Sequence, residues 1–215
     1  MDYSNIFIKQ LKLRWESLLQ QFDASNQIGD DIFIGIVQAY SNPNRYYHNL
    51  NHIEQVLDKI TECSYIDCDL STVKLAAWFH DVIYDTKSRN NEENSAEYAV
   101  LALSKLKIAI ASITKVKSLI LKTKTHQPFL DDIESQILID ADLSILGASE
   151  FKYMSYAQSI RREYSWVPDR EYRQERKKVL QSFLQKEKIY STEHMFLTLE
   201  EAARKNIKAE ILALS

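Results

Sequence analysis

The chain has 215 residues, of which 45% are hydrophobic and 27% charged, with a net charge of −3 and a pI near 6.0. A chain of this size and balance can bury a core of its own, and its mild acidity gives no overall attraction for nucleic acid or an anionic membrane. Only three glycines and three prolines occur, fewer than sheets with tight turns use, so the composition predicts long helices and short connections.

Apolar residues recur at helical spacing along nearly the whole chain. Ile6, Leu11, Trp15, Leu18, Leu19 and Phe22 form the first stripe, and a second helix is expected from about residue 30 to 40. The stretch SNPNR breaks the pattern, because Pro43 disfavours helix at Asn42. A third helix follows with Ile53, Val56, Leu57 and Ile60 on one face, and Asn51 with Glu54 resembles a capping box at its start. Ser71 is the expected cap of a fourth helix, STVKLAAWFHDVIYD, whose interior is apolar almost all round and so belongs at the centre.

The polar loop TKSRNNEEN leads to a fifth helix over about 92–107. A sixth, ITKVKSLILKTKTH, should stop before Pro128, and a seventh, DDIESQILIDADLSILG, should end at Gly147 as a left-handed cap. Two or three more helices fill 149–213, with a break at Trp166-Val167-Pro168. There is no internal repeat and no long polar linker. The expectation is one compact all-α domain over 1–215 with roughly nine or ten helices, its core at about 30–147 and further helices over 148–215.

Cys63 and Cys68, with four residues between them, match neither a redox nor a zinc spacing and are expected as free thiols. The N-terminal stretch lacks a signal-peptide pattern, and no apolar run approaches the ~18 residues that span a bilayer. A cytoplasmic protein with no membrane partner is the expectation.

Four places set histidine or acid in unusual surroundings. His48 and His52 flank the start of the third helix, where the alternative is a plain polar helix start. His80-Asp81 stands late in the apolar helix, and burying two such groups without partners costs several kcal/mol. Neighbours on a helix point about 100° apart, which suits two ligands reaching one ion. Asp142 is flanked on its own face by Leu138 and Leu146, an expensive place for a carboxylate without a cation or donor. Asp140 points elsewhere and could simply be solvated. His126 stands at a helix end, where a favourable dipole contact is the plain alternative. Together these residues form a nitrogen and oxygen set suited to Mn, Fe, Co, Ni, Zn or Mg, and a metal held there can activate water.

In order, His52, His80-Asp81 and Asp142 resemble the H…HD…D signature of the HD superfamily of metal-dependent phosphohydrolases. YHNLNHIEQV is similar to the YHNxxHxxxV segment of the cyclic-nucleotide phosphodiesterases, distant members of that superfamily, and ADLS at 141–144 resembles the segment that supplies their last aspartate. The stretches YHNLNHIEQVL, WFHDVIYD, NEENSAE, DADLSILG and RREYSWVPD resemble a bacterial group described as predicted HD-superfamily phosphohydrolases. The resemblance implies a metal held by His52, His80, Asp81 and Asp142. It also implies that His48 is the general acid, with His48 and Asp81 as the catalytic pair. Tyr84 and Asp85 stand where the phosphodiesterases continue their HDxxH motif, which argues against a cyclic-nucleotide substrate.

Arg45, Lys124 and His126 are candidates for binding substrate phosphate, with Lys122 beside them, and Glu92 or Glu93 for orienting a histidine or a water. The segment RREYSWVPDREYRQERKK mixes arginines with Tyr164, Trp166 and Tyr172, but Glu163, Asp169, Glu171 and Glu175 interrupt its charge, which favours a solvated, salt-bridged helix over a base-stacking one. The expected activity is hydrolysis of a small phosphate ester, nucleotides included, by metal-activated water. The alternative is a non-catalytic module that binds a nucleotide or metabolite in the same cleft.

Overall fold

The structure is a computed structural model and describes residues 3–24, 26–126 and 131–215. Among these residues there are ten α-helices, one 3₁₀ segment and no strand. In chain order they are α1 (Tyr3–Gln20), α2 (Asn26–Tyr40), α3 (Leu50–Glu62), α4 (Leu70–Phe79), α5 (Asn91–Lys105), α6 (Ile110–Thr123), α7 (Ile133–Asp142), the 3₁₀ segment (Leu143–Gly147), α8 (Glu150–Glu163), α9 (Asp169–Gln185) and α10 (Glu193–Ala213). The all-α fold expected from the composition is the fold observed. No helix among the described residues is long and apolar enough to cross a membrane.

Helix α4 is the centre of the molecule and packs against α1, α3, α5, α6 and α7. Seven of its ten residues are buried, including Trp78 and Phe79. Trp15 of α1 meets both rings edge-on, at 5.6 and 6.0 Å, and its indole donates to the Gly29 carbonyl at 2.9 Å. Each such ring contributes a few kcal/mol through the apolar surface it removes from water.

Helices α3 and α4 are each capped two residues before the position expected. Asn49, not Asn51, caps α3 by accepting from the Asn51 amide at 2.9 Å. Asp69, not Ser71, caps α4 by accepting from the Thr72 amide at 3.0 Å. The fourth helix is also shorter than its apolar pattern suggests. The Asp81 amide donates to the Tyr40 hydroxyl at 3.1 Å, and Arg45 donates to the carbonyls of Asp81 and Val82 at 2.7 and 2.9 Å. With those backbone groups satisfied from outside, the helix ends at Phe79 and His80-Asp81 enters a turn.

Helix α6 ends at Thr123, and the stop expected at Pro128 lies outside the described residues. Gly147 is not a left-handed cap, since no glycine has positive φ. Its lack of a side chain serves packing instead. A Cβ there would stand 2.6 Å from the Cβ and 2.7 Å from the carbonyl oxygen of Leu199 on α10. Asn206 of α10 fastens the same corner by donating to the carbonyls of Leu146 and Ala148, each at 2.9 Å. Asp140 is not solvated. It is fully buried, accepting from the amides of Ser191 and Thr192 and from the Thr192 hydroxyl at 2.6–2.9 Å. Burial nevertheless pushes its carboxyl up to about 6.

Candidate metal centre

His52 is the third residue of α3, placed there by the Asn49 cap, and is buried. His80 follows the last residue of α4 and is also buried. Its Nδ1 lies 2.8 Å from the Ala77 carbonyl oxygen. A carbonyl can only accept, so Nδ1 carries hydrogen and the neutral ring turns the lone pair of Nε2 inward. That nitrogen stands 3.1 Å from Nε2 of His52.

Asp81 and Asp142 approach the same two nitrogens. Asp81 Oδ2 is 3.2 Å from His80 Nε2 and 3.7 Å from His52 Nε2. Asp142 Oδ1 is 3.3 Å from His52 Nε2 and 3.6 Å from His80 Nε2. Donor atoms of His52, His80 and Asp81 all lie within 4.8 Å of one another. Two ligands about 2.1 Å from one ion are separated by about 3.0 Å at a right angle and about 3.4 Å at the tetrahedral angle. The observed separations fall in or close to that range.

The electrostatics of the cluster call for positive charge. Burial would push His80 down, but the Asp81 charge and the hydrogen bond the ring donates to Asp142 prevail and hold it well above the usual imidazole range. Burial likewise opposes ionisation of Asp81 and Asp142. His80 beside Asp81, and His126 with His52 and His80 beside Asp142, hold both carboxyls below their usual range. His52 goes the other way, lowered chiefly by burial. Two carboxylates and two buried ring nitrogens thus surround a point that a proton or a cation would satisfy. The residues present fit a divalent cation with mixed nitrogen and oxygen ligands.

His48 stands beside this cluster, its ring centre 5.7 Å from that of His52. Glu163 of α8 holds it. One carboxylate oxygen of Glu163 accepts from the amides of Tyr47 and His48 at 2.7 and 3.0 Å. The other lies 2.7 Å from His48 Nδ1 and accepts from the Tyr84 hydroxyl at 3.0 Å. The Tyr84 ring also stacks on His48, 4.2 Å away. Burial raises the Glu163 carboxyl, but its bond to His48 wins and leaves it below the usual range. Burial lowers His48 while the Glu163 bond, then Asp81, raise it, and the net shift is upward. With Nδ1 donating to Glu163, Nε2 is the nitrogen left to exchange a proton.

The other candidate residues are placed as follows. Arg45 lies beneath the site but gives its guanidinium to backbone, with a third, longer contact to the His48 carbonyl at 3.4 Å and Tyr40 packed 4.9 Å away. Its donors stitch the RYYH segment to the His80-Asp81 turn, which departs from the phosphate-binding role expected of it. Lys124 is exposed and pairs with Glu93 and the Arg89 carbonyl. Glu93 therefore answers a lysine rather than a histidine. His126 does join the cluster: its Nε2 is 3.3 Å from Asp142 Oδ2. It has φ of 48°, and Lys186 donates to its carbonyl at 2.7 Å.

Sequence reasoning misses Glu163, expecting it on a solvated helix face, whereas its side chain is fully buried. A signal exists, since Glu163 continues the stripe Tyr153, Tyr156, Ile160 at helical spacing. Tyr40, Tyr84 and Lys186 carry no signal of this kind. No known family model matches the chain, and no curated protein and no solved structure is significantly similar to it.

Proposed function

We propose that this chain is a metal-dependent phosphohydrolase of the HD type, acting on small phosphate esters, nucleotides among them. The observation that carries the reading is the convergence of His52, His80, Asp81 and Asp142 at ligand-like spacing, beside a histidine set by its own carboxylate. The resemblance of the same residues to the H…HD…D signature supports it.

His52, His80, Asp81 and Asp142 would hold a divalent cation, which supplies Lewis acidity by polarising a phosphoryl oxygen and favouring ionisation of a water. His80 keeps its lone pair inward because Ala77 holds the other ring nitrogen. His48 carries the proton for the leaving oxygen on Nε2, and Glu163 keeps that ring charged and oriented. Tyr84 covers one face of the ring and reduces its contact with water.

The test is metal analysis of the purified protein together with a phosphate-release screen over nucleotides and sugar phosphates with Mn, Fe, Co, Ni, Zn and Mg. Bound metal that is lost in Asp81→Ala and His80→Ala, with turnover of at least one ester, is the expected result. In His48→Ala, metal should stay and turnover should fall by about 10²- to 10⁴-fold. Metal bound without turnover of any ester would replace this reading with the binding module. No metal bound at all would end the hydrolase reading.

A further inference from the structure

A second hollow lies between α1, α3 and α4, with a volume of about 300 Å³, at the lower end of small-molecule sites. Leu57 and Trp78, both buried, form apolar wall, and Leu13 stands exposed at the edge. Two cations share the hollow, Arg14 and Lys74. Arg14 is matched by Asp58, whose Oδ1 lies 2.7 Å from its guanidinium. Lys74 is half-buried, and among the described residues no acid or hydrogen-bond acceptor pairs with it.

Part of the Lys74 side chain is buried in the wall of the hollow, and no acid among the described residues pairs with it. Long cationic side chains ordinarily run their stems over apolar surface and keep the ammonium in water. Here burial, then the charge of Arg14, both lower the Lys74 pKa, and no acid acts in the opposite direction. Asp58 balances one of the two cations, so the hollow keeps one positive charge uncompensated. Gln21 uses its side-chain oxygen to accept from Ser71, which leaves the amide NH₂ as a further donor.

We propose that this hollow is a binding site for a small amphiphilic anion, its charged head on Lys74 and Arg14 and its apolar body against Leu13, Leu57 and Trp78. The site needs neither the metal nor the hydrolytic activity. Leu57 lies on the helix that carries His52, and Trp78 on the helix that ends just before His80.

The test is calorimetric titration of the whole protein with a naphthalene ring system bearing, in turn, a sulfonate, a phosphonate, a carboxylate and a neutral hydroxymethyl group. None of these can be hydrolysed as a phosphate ester, so the result is separate from that of the enzyme assay. Saturable one-to-one binding of at least one anionic form is expected, with the head that binds tightest defining the ligand class. The neutral form should bind about tenfold more weakly or not at all. Lys74→Met should lose about tenfold or more in affinity, Lys74→Arg should retain it, and Asp58→Asn should tighten it by freeing Arg14. Methyl signals of Leu13 and Leu57 should shift on titration. Binding by none of the anions, equal binding of the neutral form, or binding unchanged in Lys74→Met would each overturn the proposal.

Discussion

Glu163 and His48 lie 115 residues apart in the chain, yet a carboxylate oxygen of one stands 2.7 Å from Nδ1 of the other. The same carboxylate takes both backbone amides of Tyr47 and His48. It therefore fixes the position of the ring, its tautomer and its charge together.

Glu163→Gln should separate these effects. The amide oxygen can still accept from the backbone, but the charge that raises His48 is gone. The His48 pKa should fall toward or below its ordinary 6.5, read by NMR titration of the imidazole. Turnover should drop by about 10- to 100-fold, and its alkaline limb should move to lower pH with metal content unchanged. An unmoved limb would mean that His48 does not carry the proton.

The pair also sets a stability window. His48 is raised above 6.5, so its contribution is complete below that pH and fades as pH rises through the folded value. Glu163 is lowered from 4.5, so its contribution is present above that pH and fades as pH falls through the folded value. Denaturant unfolding across pH should show Glu163→Gln costing most between these limits, about 1–3 kcal/mol, and less on either side.

Binding of a cation should appear as stability. A metal at about a hundred times its dissociation constant adds about 2.7 kcal/mol. Calorimetric melting should show a higher Tm with metal than with chelator in the native protein. His80→Ala and Asp142→Asn should abolish that difference. A shift that survives both substitutions would place the cation elsewhere.

Gly147→Ala should destabilise the protein by about 1–3 kcal/mol, since the new methyl meets the backbone of Leu199, which cannot turn away. Gly35→Ala is the comparison. There the methyl meets the Tyr98 hydroxyl, the end of a movable side chain, at 2.8 Å, and the cost should be smaller. Chemical denaturation of the two variants decides it.

The two thiols should differ in reactivity. Burial pushes Cys63 up to about 11, and it is wholly enclosed, while Cys68 is partly exposed. Iodoacetamide under native conditions should label Cys68 alone, and Cys63 only after unfolding, as read by mass spectrometry.

The apolar stripes and the low glycine and proline content made the helices legible, because helix packing obeys a local period. Asp142 was legible for a related reason, since leucines on its face make a carboxylate costly without a partner. Asp140 was not. Its donors come from Ser191 and Thr192, about fifty residues on, and no local pattern announces them. The end of α4 was hidden too, because Arg45 and Tyr40 terminate it from another helix and a loop. Arg45 itself looked like a phosphate hook, since a sequence does not show that carbonyls already occupy a guanidinium. What escaped in each case is a polar contact closed over a long chain separation.

The cluster draws all its acids and imidazoles from residues up to 142, whereas the carboxylate that steadies His48 arrives at 163. On the ribosome, the side chains of the cluster therefore emerge before the carboxylate that orients His48. A chain ended before residue 163 would hold every side chain of the cluster yet lack that anchor, and it would also lack Ser191 and Thr192, which enclose the neighbouring Asp140.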